Sequence, residues 1–375
     1  MKKGWQTKRL EEVCEIARGG SPRPIENYLT SAPDGINWVK IGDATASEKY
    51  IYQTAEKITP DGVKRSRMVY EGDFLLSNSM SFGRPYIMRT SGCIHDGWLV
   101  LRQKEKQLEQ DFLYYLLSSD ELFRQFDRLA AGSTVRNLNI GLVKRVEISF
   151  PPLEEQQRIV AVLDEAFAGL ATAQANAEKN LQNARALFES HLHSVFTHRG
   201  KGWMEESFED CIEDVKHTTK VQRKDFLAEG RFPIVSQEAE FTNGYWNNPA
   251  DVFRVTAPVV IFGDHTQVLK YIDFDFVLGA DGVKILQPKP LLLPKFFFYQ
   301  LRSIPLKSLG YARHYRLLKE VRITCPQHAE QQAIVAHLDA LSAETQRLTQ
   351  LYERKLAALA ELKKSLLHAA FSGHL

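Results

Sequence analysis

The chain has 375 residues, of which 44% are hydrophobic and 25% charged, a composition typical of a folded globular protein and not of a disordered or fibrous one. At this length, two domains of roughly 100–200 residues each are expected. The formal net charge is only +2, so any binding to nucleic acid must depend on local basic surfaces, because the whole molecule carries little excess charge.

Cysteine usage and hydropathy restrict the class of protein further. Cys14, Cys93, Cys211 and Cys325 are scattered and form no CxxC pair, which argues against a zinc site or a disulfide scaffold and suits a reducing cytosol. The start, MKKGWQTKRL, lacks the apolar region of a signal peptide. No stretch approaches the roughly 18 consecutive apolar residues of a membrane span. These features predict a cytoplasmic protein.

The chain contains an internal repeat. EQQRIVAVLD (155–164) and EQQAIVAHLD (330–339) agree at eight of ten positions with an offset of 175 residues. The match extends back to KRVEISFP (144–151) and KEVRITCP (319–326), whereas the pairs Gly4-Trp5 and Gly202-Trp203 are offset by 198, which makes the first variable part 23 residues longer (198 − 175). The repeat predicts the plan A–B–A′–B′, with A at 1–150, B at 151–198, A′ at 199–325 and B′ at 326–375.

Segment A is predicted to have α+β structure. The β-rich runs FLLSNS (74–79) and GWLVLRQ (97–103) lie between glycine-rich turns, and the aromatic helix QDFLYYLLSS (110–119) is expected in the core. Three polar loops combine glycine with side chains that contact phosphates and base edges: ARGGSPRP (17–24), LSNSMSFGRP (76–85) and AAGSTVRNLN (130–139). The candidate contact residues are Arg18, Ser21, Arg23, Ser77, Asn78, Ser79, Arg84, Ser133, Arg136 and Asn137. Each loop alone is also compatible with an ordinary solvated surface.

Segment B is predicted to form one long helix. It follows Pro151-Pro152, places a carboxylate in its first turn, and carries an apolar heptad that runs from Ile159 to Leu187 through several alanines and Asn180. A second apolar set lies off this seam, and it either packs on the flanking A domain or docks another subunit, or does each at different ends of the helix. This set comprises Phe167, Leu181, Phe188, Leu192 and Phe196.

Segment A′ repeats the α+β pattern. Its β-rich runs are APVVIFGD (257–264) and FVLGADGVKIL (276–286), and its aromatic helix is PKFFFYQLRSI (294–304). Its polar loops are DVKHTTKVQRK (214–224), SQEAEFTNGYW (236–246), FGDHTQ (262–267) and GYARHYR (310–316). The last is the strongest candidate, with three cations and two tyrosines in seven residues if His314 is counted as charged. The candidate contact residues are Lys216, Lys220, Ser236, Gln237, Asn243, Asp264, His265, Arg313, His314 and Arg316.

Segment B′ carries a heptad from Ile334 to Ala369, with only Thr345 and Lys355 off-type. A helix of about 44 residues would extend roughly 65 Å and needs a partner stripe along its length. The other B segment is the obvious partner. Because A′ returns the chain, an antiparallel pair is expected, with A and A′ held at opposite ends.

Catalytic motifs are missing from the sequence. There is no GxxxxGK[ST] loop, no GxGxxG after a strand, and no Asn/Asp-Pro-Pro-aromatic motif of an adenine methyltransferase. A nuclease could be built on Asp214-Val215-Lys216, and an acid–base site on Asp264, His265 and Asp281, but A and A′ share no acid or histidine at aligned positions. These observations identify no convincing catalytic apparatus in the sequence.

The plan resembles the specificity subunit of type I restriction–modification systems (an HsdS-like S subunit). The motifs that carry the resemblance are PPLEEQQRIVAVLDEA (151–166), PQHAEQQAIVAHLDAL (326–341), LKKSLLHAAFSG (362–373) and the domain-opening Gly-Trp pairs. One departure is Pro326-Gln327-His328-Ala329, where the family has Pro-Pro-Leu-x-Glu. VVIFGDHTQ with GYARHYR looks like one variety of target recognition domain.

The resemblance implies an α+β fold with two target recognition domains of mixed α/β structure, separated by two long helices in an antiparallel coiled coil with pseudo-twofold repetition. Each domain would read one half of a bipartite double-stranded DNA site, and the helices would fix the gap. Two methyltransferase subunits carrying S-adenosylmethionine would methylate adenine at N6, and ATP- and Mg-dependent restriction subunits would cleave the DNA. The chain itself would have no catalytic activity and would hold no cofactor. The alternative is a non-DNA coiled-coil scaffold whose A domains bind proteins.

Overall fold

The computed structural model describes residues 4–47, 49–78, 82–130, 138–198, 200, 202–216, 219–279, 282–310 and 312–375. Among these residues, the helices in chain order are α1 Leu10–Val13, α2 Ile41–Thr45, α3 Pro60–Val63, α4 Gln110–Leu117, α5 Asp120–Ala130, α6 Ile140–Lys144, α7 Leu153–Thr197, α8 Pro294–Ser303, α9 Tyr315–Lys319 and α10 His328–Ser372. Short 3-10 turns occupy Ile25–Asn27, Glu209–Cys211, Arg223–Asp225 and Pro249–Asp251. No helix in these ranges has the combination of length and apolar character that crossing a bilayer requires.

The strands of the first half are β1 Gln6–Arg9, β2 Cys14–Arg18, β3 Leu29–Thr30, β4 Ile36–Val39, β5 Tyr50–Ile51, β6 Glu56–Ile58, β7 Arg67–Val69, β8 Phe74–Ser77, β9 Pro85–Met88, β10 Gly92–Ile94, β11 Trp98–Gln103 and β12 Glu147–Phe150. Those of the second half are β13 Met204–Ser207, β14 Phe232–Val235, β15 Gly244–Trp246, β16 Val252–Phe253, β17 Val259–Gly263, β18 Leu269–Ile272, β19 Phe276–Leu278, β20 Val283–Leu286 and β21 Arg322–Cys325. The mixed α/β class predicted from the sequence is confirmed.

The chain divides into two compact units that do not coincide with the four sequence segments. Unit 1 contains Met1–Asn176 and Lys355–Leu375, and unit 2 contains Ala177–Arg354. Both boundaries fall inside the long helices α7 and α10. Each unit therefore consists of one sheet-rich domain together with part of each long helix.

Unit 1 contains two five-stranded sheets and a two-stranded ribbon. The sheet orders are β3-β6-β4-β10-β7 and β2-β11-β8-β9-β5. In the ribbon, β1 pairs antiparallel with β12, so that Gln6 faces Phe150 and the domain begins and ends at the same place. The aromatic helix α4 lies in the core, as predicted, with Phe112 and Leu113 fully buried. The ribbon leads directly into Pro151 and the start of α7.

Unit 2 repeats this closure with smaller sheets. The opening strand β13 pairs antiparallel with the closing strand β21, so that Met204 faces Cys325 just before Pro326. The sheet orders are β15-β14-β19-β16 and β18-β17-β20. The aromatic helix α8 buries Phe296 and Phe297 completely. Both domains therefore deliver their last strand to the first turn of a long helix.

The two long helices pair antiparallel within each unit. In unit 1, Ile159 and Leu163 near the start of α7 share a core with Leu367 and Phe371 near the end of α10. In unit 2, the end of α7 packs against the start of α10, where Leu338 is completely buried. A start meets an end in both units, as the antiparallel prediction requires.

The first glutamine of the repeated Glu-Gln-Gln explains much of the internal repeat. Gln156 is fully buried; its Oε1 accepts from the backbone N–H of Glu109 at 2.8 Å, and its Nε2 donates to the carbonyls of Gln107 and Pro151. Gln331 makes the equivalent contacts: Oε1 accepts from Leu293 N–H at 2.8 Å, and Nε2 donates to Leu291 and Pro326. Each glutamine therefore ties the loop before the aromatic helix to the start of the long helix.

The aspartate that ends each repeat makes a second attachment. The hydroxyl of Tyr299 on α8 donates to Asp339 at 2.5 Å, and Lys295 pairs with the same carboxylate at 2.9 Å. In unit 1 the hydroxyl of Tyr115 donates to Asp164. Burial, followed by the neighbouring aspartate, raises the pKa of both tyrosines. These tyrosines thus remain hydrogen-bond donors at ordinary pH.

The predicted heptad seam is wrong in part. Asn180, Leu187, Lys355 and Leu362 are exposed, and burial moves instead to neighbouring positions such as Phe188 and Leu367. Among the partly or fully buried residues of α7, Ile159, Leu170, Leu181 and Leu192 are spaced eleven residues apart. A helix with 3.6 residues per turn drifts by about 20° per heptad away from a strict 3.5-residue seam, so a heptad assignment loses phase over the 45 residues of α7.

Candidate nucleic-acid interface

In unit 1, two of the predicted polar loops converge on Asp96, in the turn between β10 and β11. Its Oδ1 accepts from the Ser21 hydroxyl at 2.7 Å, and its Oδ2 pairs with Arg23 at 3.1 Å. Its backbone carbonyl accepts from Arg18 Nε and Asn78 Nδ2, each at 2.9 Å. These five residues are called the Asp96 cluster. The cluster holds loops 17–24 and 76–85 together.

Electrostatics in the Asp96 cluster favour an ionised carboxylate beside exposed cations. The hydrogen bond from the Ser21 hydroxyl lowers the pKa of Asp96. A hydrogen bond from the Asp96 backbone N–H and the positive charge of Arg23 lower it further. The Arg23 side chain is 78% exposed although it pairs with Asp96, so its guanidinium can still reach a phosphate. Arg18 and Arg84 are also exposed. The cluster therefore combines a hydrogen-bonded polar frame with exposed positive charge.

An open groove of about 800 Å³ lies beside the Asp96 cluster. Its wall includes His95, whose Nδ1 accepts from the backbone N–H of Gly97 at 2.9 Å, so the ring's other nitrogen carries the proton. Burial lowers the pKa of His95. The rest of the lining is largely apolar and includes Pro22, Pro24, Ile25, Trp38 and Ile41.

The remaining unit 1 candidates divide into buried frame residues and positions that cannot be assessed. Ser77 and Asn78 are buried, and the Ser77 hydroxyl accepts from the backbone N–H of Arg84 at 3.1 Å. These two residues hold the loop and present little surface to a ligand. Ser79, Ser133, Arg136 and Asn137 lie outside the described residues.

In unit 2, loop 236–246 is held by a lysine that the sequence analysis did not single out. The Lys270 ammonium is buried and donates to the carbonyls of Ser236 at 2.8 Å and Glu240 at 2.5 Å, and to Asn243 Oδ1 at 3.2 Å. The Phe241 carbonyl lies at 3.5 Å. These five residues are called the Lys270 cluster. Burial lowers the pKa of Lys270.

The loop after β17 joins the same region. The Thr266 hydroxyl donates to the carbonyl of Gln237 at 2.6 Å, and the backbone N–H of His265 donates to Gln237 Oε1 at 3.3 Å. Gly282 has a φ of +71°, and a Cβ there would lie 2.6 Å from the His265 ring and 2.9 Å from Gln237 Oε1. Glycine is therefore required for the close approach of these loops.

Loop 310–316 is attached through His314, which is 1% exposed. Its Nδ1 lies 2.9 Å from the Asp264 carbonyl, and its Nε2 accepts from the backbone N–H of Leu309 at 3.0 Å. The Asp264 carboxylate accepts from Tyr315 N–H at 2.7 Å and is also buried. His314 is therefore not a third cation on the surface of this loop, because the side chain is buried and both ring nitrogens form hydrogen bonds inside the domain.

Four predicted cations of unit 2 are exposed: Lys216, Lys220, Arg313 and Arg316. Ser236, Asn243, Asp264 and His314 form the frame beneath the loops. Asp281, considered as an acid–base group, lies outside the described residues, and the Asp264 carboxylate is already engaged. Within the ranges described, no three histidine, cysteine or acidic side chains are grouped as metal ligands.

The off-seam apolar set of α7 is mostly packed inside its own unit. Phe188, Leu192 and Phe196 are buried in the core of unit 2, and Phe167 contacts Tyr115 with ring centroids 5.4 Å apart. Packing against the flanking domain, one of the two interpretations of this apolar set, thus accounts for these four side chains. Leu181 lines a shallow surface groove with Glu178, Gln182, Arg185 and Ala186.

Asp96 and Lys270 are the main residues that sequence reasoning missed. Asp96 follows the buried strand β10 in a His-Asp-Gly turn, and Lys270 interrupts the apolar run of β18. A charged residue in an otherwise buried strand is expected to have specific partners, because an unpaired buried charge is costly. That signal was present for Lys270 in the sequence.

Comparisons with known proteins agree with the fold. Residues 2–181 match the family model described as the type I restriction modification DNA specificity domain. The type I restriction enzyme MjaIX specificity subunit of Methanocaldococcus jannaschii is 29% identical over 166 residues, which cover 43% of this chain and only 37% of that relative. The matched region therefore spans little more than a third of the relative's length.

Two solved structures share the fold over nearly the whole chain. One, from work on complex assembly and conformational transition of the type I R-M system, has a TM-score of 0.82 at 22% identity and covers 99% of this chain and 98% of its own. The HsdS subunit from Thermoanaerobacter tengcongensis has a TM-score of 0.64 at 22% identity, with coverage of 100% and 98%. The resemblance to HsdS-like specificity subunits is confirmed.

Proposed function

We propose that this chain is the DNA sequence-specificity subunit of a type I restriction–modification enzyme. It binds a bipartite double-stranded site, and each compact unit reads one half. The observation that carries the proposal is the presence, in each unit, of separate loops joined by a polar cluster and bordered by exposed cations. Exposed arginine and lysine neutralise phosphates and fix the register, while the framed loops present side chains to base edges.

The long helices set the distance between the half-sites. Two readers on one chain gain avidity only when both half-sites lie within reach, so the spacer selects the gap. Each helix has 45 residues, and at about 1.5 Å per residue it would extend roughly 67 Å. That length is close to two turns of B-DNA at about 34 Å each, which would allow both readers to approach the same side of the duplex.

Two methyltransferase subunits dock on this chain, one for each half of the repeat. Equivalent docking of two copies requires two equivalent surfaces, and the repeat provides them at exposed positions that packing does not explain. Gln157 and Ala161 in α7 are exposed and identical to the exposed Gln332 and Ala336 in α10. The partners would supply S-adenosylmethionine and methylate adenine at N6, and ATP- and Mg-dependent restriction subunits would cleave the DNA.

The chain itself contributes recognition and no chemistry. A methyltransferase must extrude the adenine from the duplex, at a cost of a few kcal/mol. Tight binding of both half-sites by this chain offsets part of that cost. The exposed cations, namely Arg18, Arg23, Arg84, Lys216, Lys220, Arg313 and Arg316, contact DNA directly, whereas Ser77, Asn78, Ser236, Asp264 and His314 hold the loops that do so.

A domain exchange tests the proposal. The chain would be co-expressed with its methyltransferase subunit, and the methylated motif would be determined by sequencing the host genome. Replacing residues 1–150 with the corresponding domain of another specificity subunit should change one half of the motif and keep the other half and the gap. A change in both halves, or in neither, would contradict the assignment of one half-site to each unit.

Salt dependence separates this function from the protein scaffold alternative. Binding that neutralises several phosphates weakens steeply with salt, with a slope of about −0.9 per phosphate in log–log form. A shallow slope, or equal affinity for DNA with and without the methylated motif, would favour the scaffold.

A further inference from the structure

The ends of the two long helices bring a pair of histidines together in unit 2. His191 on α7 and His337 on α10 place their Nε2 atoms 2.9 Å apart, with ring centroids 4.9 Å apart. The pair lies at the surface, where His337 is exposed and His191 is half-buried. Neither residue belongs to a recognition loop or to the helix attachments formed by Gln331 and Asp339.

The backbone under this pair is fixed by the core. Leu192, which follows His191, and Leu338, which follows His337, are both fully buried. Neighbouring carboxylates are already paired: Glu189 contacts Arg302, and Asp339 contacts Lys295 and Tyr299. The two imidazoles are therefore held at a set separation by packed helices, with solvent on their outer side.

We propose that His191 and His337 form a binding site for a divalent transition-metal ion of the Zn²⁺, Ni²⁺ or Cu²⁺ class, which links α7 to α10 within unit 2. Imidazole nitrogen is a preferred ligand of these ions, and Zn–N bonds are about 2.0–2.1 Å long. In a tetrahedral site, two such nitrogens lie roughly 3.3 Å apart. The rings need to separate by only a few tenths of an ångström, which small side-chain rotations supply.

Metal binding changes the position of one proton in the histidine pair and releases none. In the metal-free pair, one Nε2 carries a proton and donates it to the lone pair of the other. When the ion binds, both Nε2 atoms give their lone pairs to the metal, and the proton of the donor ring moves to its own Nδ1. The two imidazoles are the protein ligands, and water molecules occupy the remaining coordination positions. Because the protein ligands are nitrogen atoms, the affinity follows the Irving–Williams order, with Cu²⁺ bound most strongly.

Thermal unfolding of the full chain tests the site. After treatment with a chelator, the protein would be titrated with Zn²⁺, Ni²⁺, Cu²⁺ or Mg²⁺. An ion that binds only the folded state raises Tm with concentration. We expect a rise with Zn²⁺, Ni²⁺ and Cu²⁺, no rise with Mg²⁺, and loss of the rise in both His191→Ala and His337→Ala. The matched control is His193→Ala, an exposed histidine two residues along α7, which should keep the full rise.

Electron paramagnetic resonance of the Cu²⁺-loaded chain provides a second readout. The spectrum should show two coordinated imidazole nitrogens in the wild type and in His193→Ala, and fewer in each of the two site variants. The proposal is overturned if no transition metal raises Tm, or if the rise and the two-nitrogen signal persist when His191 and His337 are both replaced. The test involves no DNA, so its result is independent of the proposed function.

Discussion

The two compact units attach to their helices in the same way but hold their polar loops differently. Gln156 and Gln331 make the same three kinds of backbone contact, and Tyr115 and Tyr299 reach equivalent aspartates. The loops, by contrast, are held by the carboxylate and backbone carbonyl of Asp96 in unit 1, and by the buried Lys270 ammonium together with Asp264 and His314 in unit 2. The attachment to the helices is constant, and the surface that would meet DNA has diverged, which is how a duplicated protein would come to read two different sequences.

The largest expected effect concerns the shared attachment. Gln156→Ala and Gln331→Ala each remove three hydrogen bonds and leave buried backbone groups unpaired, at about 1–3 kcal/mol per group. Each substitution should lower the free energy of unfolding of its own unit by at least ~3 kcal/mol. Chemical denaturation would measure this. The exposed neighbours provide the controls, because Gln157→Ala and Gln332→Ala should change stability by no more than about 0.5 kcal/mol. Clearly unequal losses of stability for Gln156→Ala and Gln331→Ala would show that the two units do not attach to their helices in the same way.

The next largest effect is expected at one half-site only, from a substitution in unit 2. Lys270→Met keeps the length of the side chain but removes the donor to Ser236 and Glu240, so loop 236–246 loses its internal support. Leaving those carbonyls unpaired costs about 1–3 kcal/mol, and we expect roughly tenfold weaker binding through the second half-site alone. Affinities for DNA probes altered in one or the other half would show it. Lys295→Met, which breaks the ion pair between α8 and Asp339 on α10 and touches no loop of the Lys270 cluster, serves as the control. Equal loss at both half-sites would argue against separate readers.

An effect of similar size is expected from single exposed cations. Arg313→Ala or Arg316→Ala should weaken binding by about 1–2 kcal/mol, and only for DNA that contains the second half-site. The change in salt slope distinguishes the two kinds of contact: a lost phosphate contact reduces the slope by about 1, and a lost base contact relaxes specificity. Arg347→Ala on α10 is the matched control, because Arg347 pairs with Glu344 on the same helix. Unchanged affinity for both loop variants would remove loop 310–316 from the interface.

The smallest expected effect is a change in the pH dependence of stability, caused by a substitution in the Asp96 cluster. The Ser21 hydrogen bond is the largest cause that lowers the pKa of Asp96, so Ser21→Ala should raise that pKa. A carboxyl whose pKa is lower in the folded state adds stability above its unfolded pKa, and that stability is lost as pH falls through the folded value. The variant should therefore lose less stability on acidification than the wild type. Carboxyl NMR titration measures the pKa, and Ser207→Ala, which removes a similar hydrogen bond to Asp210 in unit 2, should leave Asp96 unaffected.

The sequence by itself determined the repeat, the mixed α/β class, the aromatic helices of the core and the antiparallel pairing of the long helices. These follow from local patterns, such as prolines before a helix, apolar spacing along it and identity between distant segments. Strict heptad spacing misplaced the seam, because the drift of a 3.6-residue helix accumulates with length while each local step still looks correct.

Only the tertiary structure decided which polar residues hold the loops and which face solvent. Arg313 and His314 are neighbours in one basic loop, yet the first is exposed and the second is buried with both ring nitrogens occupied. Asp96 and Lys270 emerged as central residues because their partners lie far away in sequence. Hydrogen bonds between distant loops depend on where the sheets deliver each chain segment, and that placement is a property of the packed domain that no short stretch of sequence contains.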